Sequence, residues 1–327
     1  MSKTNLVFRA PKTRRLVSAW TLKGCEAAML RRVRQFDDLF DQIIFMCGSP
    51  KPDGSMPKTW PVEDRRRLTA KLAKMGVSVL NDYNAPNADL TPALLRACVA
   101  GMVQECLRSG ADGVDIDFEH LPPECRFMFT DFVAELSAAL HAEGKMLSLF
   151  GMMPTSSARR EVGMGFIDPA LLASHLDHFR IGCYDLFTPR SLFVGPTSAA
   201  PWGRDACQAL LSCMPPHKVV MGLPTYSIDW DINQPKKSRQ VNDAAFVARC
   251  EKKSPIGRGW MFWLDVNLIR YADRRGHAHL LYVSDARSTR SHLRTVDELD
   301  LEGVCFWCLT GTEDPRIYQA LREYLRR

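Results

Sequence analysis

No stretch of this chain approaches the ~20 consecutive apolar residues that cross a bilayer, which argues against a membrane span and a membrane partner. Also missing are an internal repeat at solenoid periods, a low-complexity run and a Gly-rich phosphate turn after the first strand candidate. Those absences count against a repeat scaffold, a linker protein and a dinucleotide-binding doubly wound sheet. Charge of one sign is in short supply as well. The 43 basic residues outnumber the 37 acidic ones only slightly, for a net +6. The basic clusters at 65–67, 159–160, 236–237 and 274–275 are scattered. Such scatter reads as solvated faces and brings no nucleic-acid motif, while an anionic glycan stays compatible.

The first residues, Met1 to Asn5, lead into no apolar run of the secretory kind, so the expected location is cytoplasmic, with leaderless export as the alternative. The 11 cysteines are odd in number and sit mostly in apolar runs, as Cys47, Cys98, Cys106, Cys183 and Cys305 do. That usage suits buried thiols in a reducing compartment. Cys305 and Cys308 lie three steps apart in a strand-like run, so their sulfurs are expected on opposite faces, ~10 Å apart along the chain, and not as a metal or redox pair.

What is present is alternation of strand and helix. Short apolar runs occur at 16–20, 42–47, 77–80, 113–119, 146–151, 178–184, 218–223 and 303–309. Amphipathic stretches separate most of them. One spans 91–109, with Thr91 as N-cap, Pro92 at the first helical position and Gly110 at the exit; another spans 123–143, with apolar Phe127, Phe132, Leu136 and Leu140. Eight such units call for a parallel sheet, and in this length for a closed (β/α)8 TIM barrel, with an open doubly wound sheet as the rival. Residues 1–327 read as one domain and a monomer. The long interval before the last strand holds two strand-like runs, 260–271 and 277–284, joined by Asp273, Arg274, Arg275 and Gly276. It reads as a small β-hairpin insertion at about 231–290.

The segment 112–119 reads Asp-Gly-Val-Asp-Ile-Asp-Phe-Glu. On a strand, Asp115, Asp117 and Glu119 share one face, while Val114, Ile116 and Phe118 share the other. In a barrel the C-terminal ends of the strands form the active-site rim, so Glu119 stands at the mouth, Asp117 ~7 Å deeper and Asp115 deeper again. Three neighbouring carboxylates in a low dielectric retain and share at least one proton near neutral pH. A protonated Glu119 could serve as general acid. Two other readings stay open at this point: oxygen ligands for a hard cation, for which no completing Asp, Glu or Asn is evident, and a structural network of hydrogen-bonded carboxyls.

This octapeptide resembles the signature of the family 18 glycoside hydrolases, the chitinase family, at every fixed position. Gly182-Cys183-Tyr184-Asp185 is similar to the family's sixth strand, Gly222-Leu223-Pro224-Thr225-Tyr226 to its seventh, and Trp307 stands where its eighth-strand tryptophan belongs. Pro201-Trp202, Pro215-Pro216-His217-Lys218 and Asp229-Trp230 resemble the branch of spore-cortex-lytic N-acetylglucosaminidases and di-N-acetylchitobiase. Strand three departs from ordinary chitinases in reading Leu80-Asn81-Asp82-Tyr83.

The resemblance implies a retaining, substrate-assisted hydrolase without metal or cofactor, acting on an N-acetylglucosamine-containing oligo- or polysaccharide of the chitin or peptidoglycan type. It implies that Glu119 donates the proton, Asp117 orients the acetamido group, Asp115 tunes Asp117 and Tyr184 donates to the acetamido oxygen. Trp307 would be the floor of the sugar site, with Trp20, Tyr226, Asn81 and Asp185 beside it. Trp202, Trp230, Trp260 and Trp263 are candidates for outer subsites. Met152 and Met153 read as core. The alternatives are a non-hydrolytic chitinase-like lectin and a metal-dependent barrel enzyme of another class.

Overall fold

Eight parallel strands close on themselves in a computed structural model that describes residues 14–152 and 165–326. Met153, Arg159 and Arg160 lie outside the described residues, as does the N-terminal segment. The barrel strands are β1 (Leu16–Thr21), β2 (Gln42–Gly48), β3 (Ser78–Asn84), β4 (Gly113–Asp117), β5 (Met146–Gly151), β6 (His178–Gly182), β7 (Val219–Pro224) and β13 (Gly303–Leu309). Neighbours run in sequence order around the barrel, and β13 closes it between β7 and β1. At that seam the backbones of Gly303 and Leu16 approach so closely that a Cβ on residue 303 would collide with the Leu16 main chain.

The barrel expectation therefore holds, and the strand positions agree within a few residues. Helices α1 (Glu26–Gln35), α2 (Val62–Ala73), α3 (Pro92–Ser109), α4 (Arg126–Ala142), α5 (Pro169–Leu172), α6 (Ala200–Leu211), α8 (Ala286–Glu298) and α9 (Arg316–Leu325) connect or follow the strands. Their ends are written locally. The Thr91 side chain accepts from the Leu94 N–H at the start of α3, and Gly110 ends it with a left-handed φ of 70°. No described helix is long and apolar enough to cross a membrane.

Two apolar layers follow from strand alternation. Val114, Ile116 and Phe118 face outward and pack with helix residues such as Phe129, Phe132 and Met102 in the large layer between barrel and helices. A smaller set, including Trp20, Ile44, Leu80, Phe150, Tyr184 and Cys305, fills the barrel interior. Cys308 belongs to that interior set too, against the expectation of opposite faces for Cys305 and Cys308. The reason is an irregularity in β13: two steps of β1, from Ala19 to Thr21, match three steps from Phe306 to Leu309, so strict alternation fails there. Burial pushes both thiols up to about 12, so neither is a reactive thiolate at neutral pH.

Arg65 departs from the expectation of solvated basic faces. It is buried, donates to the Trp60 carbonyl and pairs with Glu105. It lies on the same buried face of α2 as Leu68 and Leu72.

The insertion is larger than a hairpin. β11 (Val266–Ala272) and β12 (Ala278–Val283) form the expected hairpin, closed by a turn with Gly276 at φ 81°. They sit in a five-stranded antiparallel sheet with β8 (Ser227–Asp231), β9 (Arg239–Val241) and β10 (Arg258–Met261), in the order β10-β11-β12-β8-β9. α7 (Ala244–Lys253) covers one face. The expected run 260–271 is two strands because Asp265, at φ 53°, turns the chain between β10 and β11.

Candidate active site

Register brings the acids of β4 together with an acid that sequence reasoning passed over. Asp82 and Asn84 of β3 lie opposite Asp115 and Asp117 of β4. Leu80, Asp82 and Asn84 therefore share the inward face with the three expected acids. Asp115 and Asp82 have no solvent exposure, Asp117 has 8% and Glu119 is half-buried. Depth thus follows the order expected from the strand.

Each acid is held differently. The Trp20 indole N–H lies 3.2 Å from both Asp82 Oδ2 and Asp115 Oδ2, so one donor bridges two carboxyls. Asp115 also accepts from the Ser148 hydroxyl of β5 and faces the Arg180 guanidinium of β6 at 3.7 Å, both side chains being fully buried. Arg180 in turn donates to Gln42 Oε1 at 2.8 Å. Asp117 Oδ2 accepts from the Asn84 amide at 2.9 Å, while its Oδ1 is buried with no hydrogen-bond partner. An unpartnered buried carboxyl oxygen at the end of a barrel strand is an acceptor awaiting a donor.

The electrostatics follow from this crowding. Burial raises the Asp117 carboxyl to about 8, and the nearby Glu119 and Asp115 push the same way, against the Asn84 hydrogen bond. Burial, then Asp117 and Asp115, raises Asp82 well above the ordinary carboxylate range. Glu119 is raised mainly by burial, with His120 opposing and Asp185 adding to the effect. Asp82, Asp117 and Glu119, all raised, thus tend to retain protons towards neutrality.

Beside them, Tyr184 follows β6 with its ring parallel to Phe150 at 6.0 Å and edge-on to Tyr226 at 6.4 Å. Burial first, and Asp117 second, keep its hydroxyl protonated far above neutrality, so it stays a donor. Asp185, at a left-handed φ of 58°, is half-buried and accepts from the Tyr226 hydroxyl. Thr197 donates to Tyr226 Oη at 2.9 Å and accepts from the Asp185 N–H at 3.1 Å. Tyr226, 4% exposed, thus acts behind Asp185 and fixes it. Trp307 is partly buried in β13 with its ring 5.8 Å from Trp20; the Trp307–Cys308 peptide is cis.

Two expected neighbours of the substrate are elsewhere. Asn81 points outward, with its amide on the Ser109 hydroxyl of α3 at 2.8 Å, because it is one residue out of phase with Asp82. Trp20, 1% exposed, is too deep to meet a ligand and serves the acids from below. Of the outer tryptophans, Trp202 packs from α6 into the barrel–helix layer, and Trp230 is a core residue of the insertion whose N–H donates to the Gly195 carbonyl at 2.8 Å. Trp260 is covered by Arg287 at 4.0 Å, and Trp263 is 70% exposed. Met152 packs against the interior cluster, as expected.

The residues that sequence reasoning missed are Asp82, Asn84, Ser148, Arg180 and Thr197. For the first two the signal was available, since alternation along β3 matches that along β4. The others come from different strands or a loop, and only register assembles them. Among the described residues no group of three or more His, Cys, Asp or Glu side chains is arranged to hold a metal ion.

The sequence matches the family model described as Glycosyl hydrolases family 18 over residues 91–311. The cortical fragment-lytic enzyme of Bacillus anthracis is 24% identical over 318 residues, 90% of this chain and 70% of that protein. The uncharacterized glycosylase YvbX of Bacillus subtilis (strain 168) is 24% identical over 217 residues, 64% of this chain. This chain spans 60% of the YvbX length in that match. Among solved structures, the spore cortex-lytic enzyme SleL of Bacillus cereus superposes with a TM-score of 0.82 at 20% identity, over 95% of this chain and 75% of that one. A chitinase from Chromobacterium violaceum ATCC 12472 gives 0.83 at 20% identity, over 96% and 99%. At these identities the superpositions establish the shared fold.

Proposed function

The chain belongs to glycosyl hydrolase family 18, and from that premise we propose that it hydrolyses β-linked N-acetylglucosamine glycans with retention, using the substrate's own acetamido group as nucleophile. The observation that carries this reading is the unpartnered Oδ1 of Asp117, buried between Glu119 at the rim and Asp115 below. An acetamido N–H is the donor that such an oxygen requires.

In the reading, Glu119 protonates the glycosidic oxygen as the bond from C1 to that oxygen breaks. The acetamido carbonyl oxygen bonds C1 from the opposite face, forming an oxazolinium ion. Water then attacks C1, gives a proton to Glu119 and reopens the ring, so the configuration is retained. Asp117 accepts from the acetamido N–H, and the positive charge that develops there favours the ionised form of a carboxyl otherwise raised to about 8. Tyr184, held protonated by burial, donates to the acetamido oxygen. Asp115, tied to Ser148, Trp20 and Arg180, supports Asp117 from the barrel interior. Trp307 offers an apolar floor for the sugar ring. No second carboxylate nucleophile is needed.

The names of the relatives and neighbours, a cortical fragment-lytic enzyme and a chitinase, support both peptidoglycan-type and chitin-type glycans as substrates. Incubation with chitotetraose and with purified peptidoglycan, followed by mass analysis of the products, tests the proposal. One of the two should be cut, and cellotetraose, which lacks the 2-acetamido group, should not. Glu119→Gln should lower turnover by roughly 10²–10⁴-fold while glycan binding persists. Ready cleavage of cellotetraose, or full activity in Glu119→Gln, would refute the mechanism; binding without cleavage by the native chain would favour a lectin.

A further inference from the structure

The insertion carries a cavity of about 300 Å3 on the face of its sheet that α7 covers. The two faces of the sheet are distinguished by their partners. Ile228, Trp230, Leu268 and Tyr282 cluster with Phe187, and Trp230 donates to the Gly195 carbonyl, so that face lies on the loop that follows β6. Val241, Ile269, Tyr271, Leu281 and Val283 point the other way and pack under α7. Tyr271 and His279 form the floor of the cavity on this second face, and Phe246 of α7 forms a wall.

The rim of this cavity is strongly basic. Arg239, Arg249, Lys253, Arg274 and Arg275 all line it, and all are exposed. Among the described residues, no acidic side chain lies within ion-pair distance of Lys253, Arg274 or Arg275. Arg239 is braced over the Phe246 ring at 4.6 Å and faces the buried Asp229 at 3.7 Å. Asp273, the acid on the rim, is occupied by the N–H groups of Arg275 and His277.

The floor is built, not merely left open. Asp229, 2% exposed, accepts from the Tyr271 hydroxyl with both oxygens, at 3.0 and 2.9 Å, and contacts His279 Nδ1 at 2.9 Å. Tyr271 and His279 stack at 4.7 Å. With Nδ1 engaged, His279 Nε2 is left buried and without a partner beside the cavity. Three cations without an acidic partner, two more that face Asp229 and Asp243 at 3.7 Å, an orphaned imidazole nitrogen and a concave space on one side of the sheet call for a multiply charged anion.

We propose that this cavity binds an anion carrying at least two phosphoryl groups. Guanidinium forks pair bidentately with phosphate oxygens. A terminal phosphoryl group carries roughly two negative charges at neutral pH, whereas a single carboxylate or sulfate ester carries one. Two such groups therefore match the local positive charge within the space available, and a single carboxylate does not. One basic cluster of the sequence, 274–275, lies here: the β11–β12 turn brings Arg274 and Arg275 to the same cavity as Arg249 and Lys253 of α7.

Isothermal titration of the full chain with tripolyphosphate at about 50 mM salt tests the proposal. Saturable one-site binding is expected, weakened at least about tenfold at roughly 300 mM salt, where screening shortens the reach of the rim charges. Orthophosphate should bind at least about tenfold more weakly. A sugar bisphosphate run beside it separates the two sources of such chemistry; tight binding of either supports the proposal, and the tighter one identifies a sugar or an inorganic backbone. The double substitution Arg274→Glu with Arg275→Glu should cost at least about tenfold in affinity. Arg249→Glu, on α7, should do the same, and both changes sit on exposed side chains. Absence of saturable binding, affinity for citrate equal to that for tripolyphosphate, or binding indifferent to both charge reversals would overturn it.

Discussion

Replacing Asp117 by Asn should stabilise the protein at neutral pH while crippling its proposed chemistry. Asn keeps the size of the side chain and can still accept the Asn84 amide that holds Asp117 Oδ2. The carboxyl of Asp117 is raised to about 8 in the fold, against ~3.9 in an unfolded chain. The folded state therefore binds more protons than the unfolded state between those values, and stability falls as pH rises through the window from about 4 to about 8. Below it both states are protonated, and above it both are ionised. At pH 7 the difference spans about three pH units, which corresponds to a ceiling of about 4 kcal/mol. Asp82 and Glu119 take up part of the shared proton and lower that figure. A gain of at least about 1.5 kcal/mol for Asp117→Asn over the native chain at pH 7, shrinking towards zero at pH 4, is the expected result. Urea unfolding of both proteins at the two pH values measures it. Equal differences at pH 4 and pH 7, or a native chain that gains stability as pH rises through this window on account of Asp117, would refute the electrostatic account of the site.

Two other outcomes probe the support around that carboxyl and the closure of the barrel. Tyr226→Phe removes a donor that lowers the Asp185 carboxyl, so Asp185 should ionise at higher pH and the turnover profile should move the same way; superimposable profiles would show that Asp185 does not take part. Gly303→Ala forces a Cβ onto the Leu16 main chain at the β1–β13 seam and should destabilise by about 2 kcal/mol or more in thermal or urea unfolding. Gly259→Ala, where the nearest atom to a new Cβ is 3.8 Å away, is the control and should be close to neutral.

Most of the barrel was legible because each strand candidate is a short apolar run framed by a helix with its own stop signals. Thr91, Pro92 and Gly110 mark α3 in the sequence, and the same residues cap it in the structure. The insertion was legible only at its hairpin. Ser227–Asp231 follows β7 after two residues and reads as its continuation, and β9 and β10 have three and four residues, too few for a period-two signal to emerge. Their strand character comes from pairing with β8 and β11, a tertiary effect that no local window contains.

The site divides along a similar line. Alternation alone puts Asp115, Asp117 and Glu119 on one face, and the same rule applied to β3 would have placed Asp82 in the cluster and Asn81 outside it. What alternation cannot supply is depth and neighbour identity around the barrel. Trp20 illustrates the point: from sequence it is an aromatic on β1 that could stack on a sugar, yet its N–H is spent bridging Asp82 and Asp115 at 3.2 Å. Arg180 makes the matching point for charge. It sits on β6, two strands away from β4, and no spacing rule pairs it with Asp115. Without that cation the innermost acid would have only the neutral donors of Trp20 and Ser148 against its burial.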